Sequence, residues 1–300
     1  MAKPKNAIST GLEYALAQAL LNVLRVSPRN FAFAIASAFT KGLDLALPRL
    51  RRVALKNLSF ALPNSKPIER QRIVDCVFES LARLLVAFAK FPALNSSNIH
   101  AWIRYEGLEN YQRAKDKGRG VLIATAHLGN WELSAFAHAL MTEPMFVMVR
   151  ALDNPLVDTL VEDRRQLSGN QLLLKKDVAL SVVRALKSNA AVGILIDQNT
   201  APEEGVFIDF FGRKACAGVA FAKLAARTGA AVVPGFAFWE HSENKYVLRF
   251  YPELEMSGDA GRDTQKIHTE IERHIREYPE QWMWIHRRWR TRPPGEESIF

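Results

Sequence analysis

Three hundred residues, 48% of them apolar, suffice for one large domain or two small ones around a real hydrophobic core. A formal charge of +9, from 40 Lys and Arg against 31 Asp and Glu, points to an anionic partner: nucleic acid, a phosphorylated substrate or an acidic membrane surface. Only two cysteines occur, Cys76 and Cys216, with no paired-cysteine or paired-histidine spacing, so the sequence predicts a reduced, cytoplasmic compartment and no metal.

Residues 8–24 carry Leu12, Leu16, Leu20, Leu21 and Leu24 at helical spacing, and Phe31–Leu47 repeats the tendency. Pro48 leads into a third helix, Val53–Leu62. These segments combine an apolar face with Arg25, Arg29, Lys41, Arg49, Arg51, Arg52 and Lys56, which predicts a region lying in a membrane interface with its cations toward anionic lipid. An ordinary helical layer over the core is the alternative. The longest uncharged runs there, Tyr14–Leu24 and Asn30–Thr40, are 11 residues each, short of the roughly 20 that span a bilayer, and no cleavable signal peptide is expected.

Pro63–Pro67 breaks the chain, so residues 1–63 read as a membrane-associating helical region and 64–300 as a second domain. A helix over Ile68–Phe88 follows. From Trp102 onward strands alternate with helices. The predicted strands are Ile103–Glu106, Val121–Ala124, Met145–Val149, Leu172–Leu174, Ala191–Ile196, Ala231–Phe238 and Tyr246–Phe250. The predicted helices are Glu109–Lys117, Trp131–Met141, Pro155–Leu167, Val178–Lys187, Gly218–Thr228 and Thr264–Tyr278. Such alternation predicts an α/β fold whose largely parallel sheet is flanked by helices, mixed where the last two strands form a hairpin.

Ala124-Thr-Ala-His127-Leu-Gly-Asn-Trp-Glu132 joins a buried strand to a helix. His127 thereby stands outside the carboxyl end of a strand, where α/β sheets present reactive groups. Glu132, in the first helical turn, is placed to accept a hydrogen bond from the imidazole, making a base for an alcohol proton. Asn130 lies on the same turn, and the Gly129–Trp131 N–H groups are candidate oxyanion donors. Arg150 ends another strand and suits phosphate, its fork binding two oxygens at once. Arg164 and Lys175-Lys176 extend that patch, and Arg213 tips an aromatic loop. Asp197 closes an apolar strand and is read as structural or substrate-positioning. The tail from Pro279 to Pro293 interleaves tryptophan with arginine, which fits a membrane boundary or a seal over the sheet edge; without a recognised nucleic-acid motif, no nucleic-acid partner is expected.

His127-Leu-Gly-Asn-Trp-Glu132 resembles the H-x4-D/E motif of glycerolipid acyltransferases. With Arg51 to Leu58, Val149-Arg150, Asp153-Asn154-Pro155, Asp197-Gln198, Phe210-Phe211-Gly212 and Glu280 to Trp289, the chain resembles the bacterial late lipid A acyltransferases from about residue 10 to Pro293. The resemblance implies transfer of a fatty acyl group from acyl carrier protein or CoA to a lipid hydroxyl at the cytoplasmic face of the inner membrane. It implies no cofactor beyond that thioester. His127 becomes the base, Glu132 its partner, and Arg150 a neighbour of the acceptor's phosphate or the acyl group. No G-x-S-x-G elbow occurs, so direct transfer is favoured over an acyl-enzyme. Acceptors such as a lysophospholipid, an ornithine lipid or a phosphoinositol mannoside, and a non-catalytic lipid-binding role, are the alternatives.

Overall fold

In the computed structural model, which describes residues 7–174 and 178–300, helices α1 (Ala7–Val26), α2 (Arg29–Ala46) and α3 (Pro48–Ala61) precede a 24-residue helix, α4 (Pro67–Lys90). The sheet region then runs β1 (Ile103–Glu106), α5 (Leu108–Lys115), β2 (Val121–Thr125), α6 (Trp131–Met141), β3 (Phe146–Val149), α7 (Pro155–Gln166), β4 (Gln171–Leu174), α8 (Val178–Lys187) and β5 (Ala191–Leu195). It continues through β6 (Gly205–Phe210), β7 (Arg213–Gly218), α9 (Ala220–Thr228), β8 (Ala231–Glu240), β9 (Lys245–Phe250) and α10 (Ala260–Glu277). Two readings needed revision. The aromatic loop at Arg213 is one arm of an antiparallel hairpin, β6 with β7. The third helix starts earlier than its hydrophobic pattern, because Pro48 occupies the first helical turn, where its missing N–H costs nothing.

The seven-stranded sheet has the order β1-β9-β8-β2-β5-β3-β4. Strands β8, β2, β5, β3 and β4 run parallel, whereas β9 is antiparallel to β8. The chain is therefore α/β with a mixed sheet, as expected. Alternation along β2 sorts side chains to two faces. Val121 and Ile123 join a core with the second half of α4 and with α5 and α6; Leu122 and Ala124 join the other, with α8, α9, α10 and the tail. The first half of α4, through Val74, Val77 and Phe78, packs into this second core. Helix α4 thus crosses the edge where the parallel strands end and roofs it.

Among the described residues no single helix is long and apolar enough to cross a membrane; α2 and α3 satisfy that test only as a pair bent by 86°. Asp44 on α2 and Asp75 on α4 both hold Arg51 of α3, at 2.6 and 2.5 Å. Arg51 is therefore engaged internally instead of facing lipid, and Arg29 is likewise turned toward Trp102. The remaining five cations of that region, Arg25, Lys41, Arg49, Arg52 and Lys56, are exposed.

The turn between β2 and α6 lies flat against β8 and the tail. The Gly129 N–H donates to Gln281 O at 2.9 Å, that of Asn130 to Ala237 O at 2.8 Å, and that of Met283 to His127 O at 3.0 Å. Gly129 has φ of 67°, and a methyl group there would overlap the Ala237 carbonyl. Gly129→Ala should destabilise the fold by roughly 2–4 kcal/mol, read as a lower denaturant midpoint at unchanged slope. An unaltered midpoint would mean that the turn can lift off β8.

Candidate active site

Strands β2 and β5 are neighbours, with Thr125 opposite Leu195, so the residues just beyond their carboxyl ends meet. The Asp197 carboxylate accepts His127 Nδ1–H at 2.8 Å through Oδ1 and the His127 backbone N–H at 3.0 Å through Oδ2. Trp282 Nε1 of the tail donates to the same Oδ2 at 2.7 Å. Burial alone would raise the carboxyl's pKa. The charge of His127 and these three donors outweigh it and hold Asp197 ionised, well below the usual carboxylate range. An ionised acceptor fixes the tautomer: Nδ1 carries the hydrogen and Nε2 the lone pair.

Burial disfavours imidazolium at His127, but the charge and hydrogen bond of Asp197 more than offset this, and the pKa is raised above its ordinary value. Nε2 accepts from the Gln198 amide at 3.3 Å. The Trp131 ring stands edge-on to the imidazole, with centroids 4.9 Å apart. Beside it lies a small cleft of about 10 Å³ lined by Val77 and Leu81 of α4 with Trp131, Trp282 and Met283.

Glu132 is not the hydrogen-bond partner of His127. It pairs with Arg165 of α7, at 2.9 Å to Nε and 2.5 Å to Nη2. The first helical turn is too far round for Glu132 to reach Nδ1, a position that Asp197 fills from the adjacent strand. The charges of Glu132 and Arg165 still act on His127, the former raising its pKa and the latter lowering it.

The other predicted residues divide. Arg150 emerges at the same edge beyond β3, exposed and without hydrogen bond or ion pair among the described residues. Strand β5 lies between β3 and β2, so Arg150 stands two strands, about 10 Å, from His127. Asn130 is buried as the N-cap of α6, its Oδ1 accepting from the Leu133 N–H at 2.9 Å. Arg164 is buried too and donates to Ala89 O of α4 at 3.2 Å, because it continues the apolar stripe of Leu160 and Val161. Arg213 leaves the edge altogether and stacks on Phe60 of α3 at 4.5 Å. Lys176, with Lys175, lies outside the described residues.

Of the proposed oxyanion donors, the Gly129 and Asn130 N–H groups are taken by Gln281 and Ala237. The Trp131 and Glu132 N–H groups at the start of α6 have no acceptor among the described residues. The tail seals the edge: Trp282, Trp284 and Trp289 are buried, and Asn57 of α3 clamps it by donating to Trp284 O and His286 O at 2.8 and 2.9 Å. Its His286 is kept neutral, the pKa lowered to about 4 by burial, and Nε2 accepts from the Asn199 N–H. No three His, Cys, Asp or Glu side chains converge as a metal would require, among the described residues.

An α/β sheet with a carboxylate-oriented imidazole and the H-x4-E spacing at one strand-to-helix turn defines an acyltransferase of the glycerolipid type. A profile of the bacterial lipid A biosynthesis acyltransferases matches residues 4–291, and the chain belongs to that family; it is an O-acyltransferase. It is 30% identical over 261 residues to the lipid A biosynthesis palmitoleoyltransferase of Escherichia coli, covering 85% of both chains. To the lauroyltransferase of the same organism it is 29% identical over 85% of this chain and 83% of that one. A phosphatidylinositol mannoside acyltransferase of Mycolicibacterium smegmatis is 26% identical over 72% of each.

The contact with Asp197 makes a prediction independent of turnover. In proton spectra His127 should titrate above pH 6.5, the unperturbed value. Asp197→Asn removes the charge that favours imidazolium, so the midpoint should move to lower pH. An identical midpoint in a folded variant would leave Asp197 without electrical influence on the ring.

Proposed function

We propose that the protein transfers a fatty acyl group from an acyl carrier protein or CoA thioester to a hydroxyl of a lipid A precursor or a related glycolipid. The observation that carries this reading is the His127 Nε2 lone pair, fixed by Asp197 at the sheet edge and held there only by the Gln198 amide at 3.3 Å, which a hydroxyl can displace. Nε2 takes the acceptor's proton as its oxygen attacks the thioester carbonyl. Asp197 stabilises the imidazolium, and Nε2–H then protonates the departing thiolate. The developing oxyanion is met by the free N–H groups at the start of α6, whose helix end favours negative charge. Glu132 acts on the ring electrostatically and fixes Arg165 beside it, and Arg150 is available to an anionic portion of either substrate. The likeness to a phosphatidylinositol mannoside acyltransferase supports other phosphorylated glycolipids as acceptors.

Residues 1–63 serve as the attachment region and 64–300 as the catalytic domain. Ile8, Leu12, Leu16, Val23 and Val26 of α1, and Phe31, Phe39, Leu43 and Leu45 of α2, are exposed. Leu152 and Leu156 at the start of α7 are exposed as well, and Asn154 there donates to Thr10 O and Glu13 of α1 at 3.0 and 2.9 Å. The apolar surface therefore adjoins the edge that carries Arg150. With the exposed cations it supports interfacial binding at the cytoplasmic face of the inner membrane.

Purified protein given radiolabelled acyl carrier protein and a lipid A precursor should yield labelled lipid. His127→Ala and Asp197→Asn should each cut kcat by about 10²–10⁴-fold, Glu132→Gln by less, since it makes no hydrogen bond to the ring. The acid limb of kcat/KM should lie above pH 6.5, because the base must be neutral and its pKa is raised. A fully active His127→Ala enzyme would end the mechanism. On flotation with anionic vesicles, Leu12→Ser with Leu16→Ser should lower the bound fraction, and high salt should release part of the parent protein. Equal binding by parent and variant under both conditions would remove α1 from the attachment surface.

A further inference from the structure

Along the sheet edge the strands end in the order β8, β2, β5, β3. Arg150 lies on one side of His127. On the other side, beyond β8, a pocket of about 220 Å³ opens between α2, α4 and the strand ends. Its walls include Arg29, Arg83, Phe33, Trp102 and Trp239. The Arg29 guanidinium lies 4.4 Å from the Trp102 ring centre and 5.7 Å from that of Trp239; Arg83 lies 5.1 Å from Trp239 and 5.0 Å from Phe33.

Several features of this pocket lack a counterpart. Arg29 forms no ion pair among the described residues, only hydrogen bonds to Asn244 O at 2.9 Å and Ala101 O at 3.4 Å. Arg83 reaches one carboxylate, that of Glu79 at 3.3 Å, and Glu79 is half exposed. Arg29 and Asn30 form the first turn of α2, which has neither a side-chain cap nor an acidic residue, so its positive end adds to both guanidinium groups. Trp239 Nε1 is buried without a hydrogen-bond acceptor among the described residues. Cations and an uncapped helix start call for an anion, and the aromatic rings those cations lie over give the pocket flat walls beside them for a sugar ring.

We propose that this pocket binds a phosphorylated sugar, the phosphate on Arg29 and Arg83 and the ring against Trp102 and Trp239. Resting on the acyltransfer reading, it assigns the headgroup of the acceptor to the β8 side of His127. The geometry suits that assignment. Trp239 is two residues beyond Ala237, which bridges to Gly129, itself two residues beyond His127; at about 3.3 Å per residue the pocket is on the order of 10–14 Å from the imidazole. Gln281 ties the two places together. Its side chain accepts from the Trp239 N–H at 2.7 Å and donates to Trp239 O at 3.1 Å, while its backbone carbonyl holds Gly129. An acceptor anchored here would carry its reacting hydroxyl to His127 on a ring or chain of that length.

The test compares a phosphorylated glycolipid acceptor with the same lipid after phosphatase treatment, using Arg83→Gln and Arg29→Gln. Arg83 has one exposed partner, so its variant should fold even if that of Arg29 does not. KM for the phosphorylated acceptor should rise about tenfold or more, with kcat, the KM of the thioester and the KM of the dephosphorylated lipid little changed. Independently of turnover, glucosamine 1-phosphate should shift the Trp239 indole N–H resonance of the parent protein and not of Arg83→Gln. An equal rise for both acceptors would make the arginines structural, a rise in the KM of the thioester would give the pocket to the donor's phosphate, and an unmoved indole signal would leave the pocket without sugar phosphate; each overturns the proposal. Should the parent protein acylate neither lipid while the indole still shifts, the acyltransfer reading fails and the binding site stands.

Discussion

The carboxylate of Asp197 is the constraint on which the rest of the molecule depends. A buried, ionised acid is tolerable only with its oxygens paired, and here the donors come from two distant parts of the chain: His127 after β2 and Trp282 in the tail. Satisfying that one group joins β2, β5 and the tail at a single point. A fully buried Arg288 stands behind it, donating to Cys216 O at 2.6 Å and packing over Phe210 at 5.3 Å. Burial lowers the pKa of Arg288 to about 10, Asp197 acting against that fall, so it remains charged at neutral pH and balances the acid. The aromatic and basic tail is thus the floor of the site, which accounts for a composition that otherwise suggests a surface.

Helix α4 is the corresponding roof. Because its first half packs with the tail and its second half with α5 and α6, it is held on both faces of the sheet and has little freedom to slide. The small cleft by Trp131 and the arginine-lined pocket open along the same helix, at Val77 and Leu81 and at Arg83 and Val86. Their separation is therefore set by one helix.

Much of this was legible in the sequence wherever the signal was local. The alternation of short apolar runs with helical patterns fixed the fold class, and the break at Gly129-Asn130 put His127 at a strand end. Local reading failed where partners are distant. Nothing near His127 reveals that its carboxylate lies 70 residues away, and Glu132, the nearest acid on the next element, took that place in the reading although it belongs to Arg165. Arg164 leaves the basic patch by helical phase: Leu160 and Val161 set an inward stripe that Arg164 continues, leaving Arg165 on the side facing Glu132. The hairpin of β6 and β7 was read as a loop because its aromatic and small residues lack clear alternation, both arms being partly buried.

The charge of the chain acquires a geometry once the strand order is known. A net charge of +9 says only that an anion is attractive. Part of the basic complement is consumed internally, as Arg51 and Arg164 demonstrate. Among the described residues, Arg150 stands at the edge beyond β3 and Arg29 and Arg83 beyond β8, with the imidazole between them. Like charges held apart by strands repel one another only weakly, so each side keeps its own attraction for anionic groups. Two separate basic patches flanking one imidazole give an anionic ligand a fixed side from which to approach Nε2.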